Sequence, residues 1–158
     1  MSETNIIFDL NPVEIFEHIL SEVAILDKEL NQGNESSKLR MLQVATLLYH
    51  LREWICPDAR LQAKDITGNL TLAQEFYAGI FQLDAFRHLQ DFVNSVKHGK
   101  KPQKRGFDTR ETQGFVLGES RLGTSFIRLN LFINDQDVIW DIINPVVAYY
   151  KANWFDKF

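Results

Sequence analysis

A single cysteine, Cys56, is all the thiol chemistry this chain has, so no disulfide closes within it and no Cys-x-x-Cys pair exists. It sits just before Pro57, at an expected helix end, and suits a reducing compartment. Long apolar runs are also missing: none approaches the roughly 18 residues that span a bilayer, and the first residues lack the basic and apolar segments of a secretory signal. The expectation is a cytoplasmic protein without a membrane partner. Histidine is scarce, with four scattered copies that have no metal-ligand spacing, so neither a metal nor a cofactor is expected. Gly-x-x-x-x-Gly-Lys, Gly-x-Gly-x-x-Gly and His-Glu-x-x-His do not occur, which sets aside phosphate-loop, dinucleotide-binding and zinc-protease chemistry. Residues 118–123, Gly-Glu-Ser-Arg-Leu-Gly, place Ser120 in Gly-x-Ser-x-x-Gly, without the spacing or the strand-to-helix setting of a serine elbow.

What is present is an ordinary folding composition: 158 residues, 45% hydrophobic and 24% charged, enough for one domain that buries roughly two-thirds of its unfolded surface. We read residues 1–158 as that single domain. The net charge of −4 is unevenly spread. Lys97, Lys100, Lys101, Lys104 and Arg105 give +5 over residues 97–105, leaving −9 on the rest. An acidic body with one basic loop argues against duplex binding over a broad face and leaves room for one local anion contact.

The helical part spans 11–98. Asn11, Pro12 and Glu14 form a capping-box start for a first helix, whose Val13, Phe16, Ile19, Leu20, Val23, Leu26 and Leu30 repeat at helical spacing up to Gly33. Ser36 or Ser37 is expected to cap a second helix over 38–56, ended by Pro57, with Leu39, Leu42, Ala45, Leu48, Tyr49, Leu51 and Ile55 on its apolar face. A helical turn is expected within 59–64. Thr71 and Gln74 predict a third start, and Gly79 with Asp84 predicts two helices bent near 81–84, stopped by Gly99 and Pro102.

After the basic loop of 97–105 the composition turns β-branched and aromatic. Strands are expected at 112–117 and 124–133, joined by a loop at 119–123. A turn at Asn134-Asp135-Gln136 leads to a short strand at 137–140, giving a hairpin region of 112–140. A C-terminal helix over 141–156 takes Pro145 in its first turn and presents Val146, Val147, Tyr150, Trp154 and Phe158. The fold class is mainly α: a four- or five-helix bundle with a small antiparallel hairpin or three-stranded sheet before the last helix.

One polar cluster stands out in the helical pattern. His50 and Trp54 are one turn apart, as are Tyr49 and Glu53, and Asp91, Asn94 or Ser95, and His98 share a face of the later helix. Should the faces meet, His50 and His98 could move a proton with Asp91 fixing the tautomer. The alternative is structural: Asp91 and Asn94 tie down the bend or the basic loop, and His50 packs between helices. His18 and His88 read as surface residues. Lys97, Lys100, Lys101, Lys104 and Arg105 are candidate anion contacts, or cations that complement a helix C-terminus. Trp54, Trp140 and Trp154 read as core or interface anchors, and Trp154, Phe155 and Phe158 suggest a homodimer contact.

Tyr49-His50-Leu51 with Trp54, and Asp91, Asn94, Lys97 and His98, resemble a loose group of small, uncharacterised bacterial proteins with Tyr-His-Leu-x-x-Trp and Asp-x-x-Asn-x-x-Lys-His segments. The helical part also resembles the HEPN superfamily of bundles, which implies RNase or antitoxin-partner roles in defence and toxin-antitoxin systems. Active members carry Arg followed four to six residues later by His. The windows after Arg40, Arg52, Arg60 and Arg87 hold none, so the resemblance implies a non-catalytic member. The expectation is a protein that acts through protein contacts and not as an enzyme, as a homodimer or with another protein partner. A nucleic-acid-associated HEPN-like role is the alternative. No catalytic residue is assigned.

Overall fold

The computed structural model describes residues 9–57, 70–98 and 107–157. Five α-helices and a three-stranded antiparallel sheet occur among them, with the sheet placed before the last helix. Helix α1 (Pro12–Asn31) opens on the expected capping box: Glu14 N donates to Asn11 Oδ1 and Asn11 N to Glu14 Oε2, each at 3.0 Å. Phe16, Ile19, Leu26 and Leu30 are buried, whereas Val13 and Leu20 face outward.

Helix α2 (Ser36–Ile55) packs along α1 but departs from its expected start. Neither serine caps it. Ser36 N donates to Asn34 Oδ1 at 3.0 Å, and Ser37 is buried with its hydroxyl unbonded. The buried face is Met41, Val44, Ala45, Leu48, Leu51, Arg52 and Ile55, a seven-residue repeat rotated so that Leu39 is exposed and Arg52 goes inside. The expected turn within 59–64 lies outside the described residues.

Thr71 and Gln74 close a second capping box on α3 (Leu72–Gly79), with Gln74 N donating to Thr71 Oγ1 and Thr71 N to Gln74 Oε1. A 3₁₀ turn at Ile80–Gln82 and extended Leu83 then form the predicted bend before α4 (Asp84–His98).

The sheet differs from its expected bounds. Strand β1 (Thr109–Gln113) lies earlier than 112–117, and β2 (Leu129–Ile133) pairs with it in the register Glu111↔Leu131. Residues 114–128 join them as a long connection and not as a tight loop at 119–123. Pairing stops at Gly114, whose N–H still donates to Arg128 O at 2.7 Å while its φ of +76° turns the chain away. The aromatic and β-branched residues beyond it have no strand to pair with, so β-propensity alone does not extend the sheet.

Asn134 and Asp135, at φ 51° and 62°, make the two-residue turn to β3 (Gln136–Asp137). The strand expected over 137–140 is only these two residues. The chain then winds into a π-helical turn, Val138–Ile143, that runs into α5 (Asn144–Asn153).

One hydrophobic core takes side chains from all five α-helices, the 3₁₀ turn, β2 and the π-helical turn. Tyr150 is fully buried and its hydroxyl donates to Leu48 O at 2.8 Å, tying α5 to α2. Burial pushes that phenol far above its ordinary range, so it is a permanent donor. Phe155 stacks on Phe16 with centroids 4.2 Å apart, and Trp154 tilts against Phe76. Of the C-terminal aromatics expected at a homodimer contact, Trp154 and Phe155 are half-buried against this core, and Phe158 is outside the described residues. No helix among the described residues is long and apolar enough to cross a membrane.

Candidate functional site

Helix α2 places His50 and Glu53 one turn apart, and His50 Nδ1 meets Glu53 Oε2 at 2.9 Å. Both are half-buried, as is Trp54. Across the helix pair, Gln90 Nε2 on α4 donates to Tyr49 Oη at 3.3 Å, so α2 and α4 do adjoin at this level. Asp91 is half-buried, and its carbonyl accepts from Ser95 Oγ at 2.5 Å. Asn94 faces solvent, and no described hydrogen bond joins it to His50. Lys97 is exposed on the last turn of α4, where a cation complements the helix dipole. The side chain of His98 and residues Lys100, Lys101, Lys104 and Arg105 lie outside the described residues. Among the described residues no group of His, Cys, Asp and Glu has the arrangement of a metal site.

One surface reading changes. His88, expected at the surface, is half-buried, and its Nδ1 lies 3.1 Å from Asn134 Nδ2, linking α4 to the β2–β3 turn. Trp140, expected as a core or interface anchor, lies outside the core at 42% exposed. It projects from the π-helical turn with the Arg121 guanidinium 4.6 Å from its ring centroid.

Trp140 and Arg121 mark the mouth of a cleft of about 430 Å³ between the sheet, the 114–128 connection and the π-helical turn. Its floor is built by Arg128, just before β2, and Asn130 on β2. Arg128 is 6% exposed and donates through Nη1 to Asp27 at 3.2 Å and to Asn31, both on α1. Asn130 Nδ2 donates to Thr112 Oγ1 at 3.1 Å and Gly114 O at 2.9 Å. On the wall, Arg110 donates in bidentate fashion to Glu119 and through Nε to Asp135, while its guanidinium lies 3.9 Å from the centroid of Phe132.

Asp137 caps the π-helical turn: its Oδ1 accepts from Ile139 N and Trp140 N, and Asp141 Oδ2 accepts from Asp137 N at 2.8 Å. Burial raises the Asp137 carboxyl above the ordinary aspartate value of 3.8, against the opposing pull of those N–H groups and of Arg128. A raised folded value means that the folded chain holds this proton more tightly than the unfolded chain. The contribution is therefore complete below about 3.8 and is lost as pH rises through the elevated value. Asp137→Asn keeps an acceptor for both N–H groups and removes the buried charge. The variant is expected to be more stable than the parent at neutral pH, with the gap closing in acid. Urea midpoints followed across pH check this, and an equal gap at all pH values would refute it.

The connection that borders the cleft also carries an apolar crest. Leu117, Leu122 and Phe126 are 89%, 99% and 89% exposed, and Phe115 and Ile127 are also exposed. The base of the crest is held by close approaches: the Ile127 carbonyl lies against Gly33 in the α1–α2 turn, and the Phe126 carbonyl against Gly114.

Sequence reasoning placed the site on α2 and α4 and missed the cleft, because its residues are scattered over 110–141. A usable signal was there. Arg128 and Asn130 are polar residues inside the β-rich run 125–133, where an inward polar side chain needs a partner. No family model, curated protein or solved structure matches the chain.

Proposed function

We propose that this protein acts through protein contact and not through catalysis, and that the crest over 115–127 is its contact surface, closed by a second copy of the chain. The observation that carries this reading is the near-complete exposure of Leu117, Leu122 and Phe126 on one connection. Single exposed apolar residues are ordinary on a folded surface, but a group of large ones on one short segment is the mark of an interaction site.

Charge at the rim favours a second copy. Among the described residues neither exposed Arg121 nor exposed Asp141 has an ion pair, and they flank the same cleft mouth. One cation and one carboxylate on a single patch are self-complementary across a two-fold axis, where each residue meets its counterpart on the other copy. The apolar residues supply the desolvated centre and these charges the rim.

Sedimentation velocity from about 1 to 100 μM chain reads this directly. The parent is expected to sediment as a dimer. Leu122→Lys and Phe126→Lys, both at exposed positions where the fold is indifferent, are each expected to weaken self-association by about 30-fold or more, the effect of losing a central anchor. A parent that stays monomeric throughout, or variants that dimerise as the parent does, would overturn the reading.

A further inference from the structure

The cleft beside the crest has features, Arg128, Asn130 and Asp137 among them, that the proposed dimer contact does not use. Its volume of about 430 Å³ lies in the range of small-molecule sites. Its lining is mainly polar, which is the wrong surface for an apolar ligand. Its charges are also nearly balanced. Arg110, Arg121 and Arg128 face Glu119, Asp135, Asp137 and Asp141 in the lining, and Arg110 is already held by Glu119 and Asp135, and Arg128 by Asp27. A multiply charged anion would find no net positive field there.

What the cleft offers is a set of fixed donors and acceptors around one exposed aromatic ring. Arg110, Arg128 and Asn130 are held in place by partners outside the cavity or on its wall, so they present hydrogen-bonding groups at little ordering cost. Asp137 is held by two backbone N–H groups, so its carboxylate is an acceptor fixed in place. Trp140 lines the cleft and is part-exposed, with the Arg121 guanidinium 4.6 Å from its ring centroid, so a bound molecule meets the ring surface that Arg121 leaves open.

We propose that this cleft binds a neutral polyhydroxylated ligand, a mono- or disaccharide, with Trp140 against the C–H face of a sugar ring and Asn130, Asp137 and Asp141 on its hydroxyls. Hydroxyls each donate and accept, which is the pattern that a mixed lining without net charge selects. The site borders the crest and shares Arg121 and Asp141 with the rim of the proposed dimer, so it is tested on a chain that does not self-associate.

The test uses the full chain in its Leu122→Lys, Phe126→Lys form, which keeps the cleft clear of any self-contact. Saturation-transfer NMR is recorded with glucose, galactose, mannose and maltose, and with adenosine monophosphate and spermidine as charged controls. At least one sugar is expected to bind saturably. That binding is expected to fall about tenfold or more in Trp140→Ala and in Asp141→Ala, two exposed positions whose circular dichroism should match the parent. The proposal is overturned if no sugar binds, if binding is unchanged in both variants, or if a charged control binds more tightly than every sugar in a Trp140-dependent way.

Discussion

Arg52→Met is expected to raise the midpoint of thermal unfolding, and Arg52→Ala to lower it. Arg52 is 4% exposed, and its guanidinium lies 4.3 to 5.0 Å from the ring centroids of Tyr49, Tyr77, Phe81 and Phe86. Nη2 donates to Tyr49 Oη at 3.2 Å, but Nε and Nη1 are buried without partners, and no described carboxylate pairs with the charge. Cation–π attraction returns about 0.5–2 kcal/mol per ring, which offsets part of the several kcal/mol that burying an unpaired ion costs.

Methionine fills similar space without the charge and has the flexibility to settle among the rings, so about 1–3 kcal/mol of added stability is expected. Alanine leaves a void lined by aromatic faces and is expected to cost about 2–4 kcal/mol. At this chain length each kcal/mol shifts the midpoint by roughly 2–4 °C. A scanning melt of both variants decides the matter: if methionine loses as much as alanine, the charge and not the volume holds the cage together.

Gly33→Ala is the second large effect, with an expected loss of about 2–5 kcal/mol in urea unfolding. Gly33 ends the α1–α2 turn at φ +66°, a conformation that costs a side-chain-bearing residue about 1–2 kcal/mol. A Cβ there would also overlap the carbonyl of Ile127, adding the cost of overpacking, about 1–3 kcal/mol. Asparagine separates the two causes. It tolerates positive φ well, so in an open turn Gly→Asn is mild. At Gly33 the overlap persists, and Gly33→Asn is expected to lose nearly as much as Gly33→Ala. At Gly123, with φ +85° and nothing near its would-be Cβ, Gly123→Asn is expected to be close to neutral. Equal behaviour of the two asparagine variants would refute the close approach.

Both effects show where local reasoning reaches its limit. The capping boxes at Asn11 and Thr71, the stop at Gly33 and the bend before Asp84 were legible because each depends on a few neighbouring residues. The heptad of α2 was legible as a helix but not in its rotation. Leu39 was expected inside and is exposed, while Arg52 was not expected inside and is buried. Intrinsic pattern fixes the period of a face; which way that face turns depends on what packs against it. For the same reason the sequence set His50 one turn from Trp54 and Tyr49 one turn from Glu53, but did not foretell that His50 would meet Glu53 or that Asn94 would face solvent.

The sheet and the cleft make the point more strongly. Period-two patterning marked residues 124–133 as β-forming, yet only Leu129–Ile133 pairs, since a strand needs a partner and β1 ends at Gly114. Composition, length, cap signals and helical period by themselves determined a mainly helical domain with a late antiparallel element. The tertiary structure alone decided that Phe115 to Ile127 form an exposed crest, that Arg128 reaches across the fold to α1, and that Trp140 opens onto a polar cleft. Caps and periods are interactions between near neighbours in the chain. A crest and a cleft arise from contacts between residues a hundred positions apart, such as Arg128 with Asp27, and no local pattern encodes those.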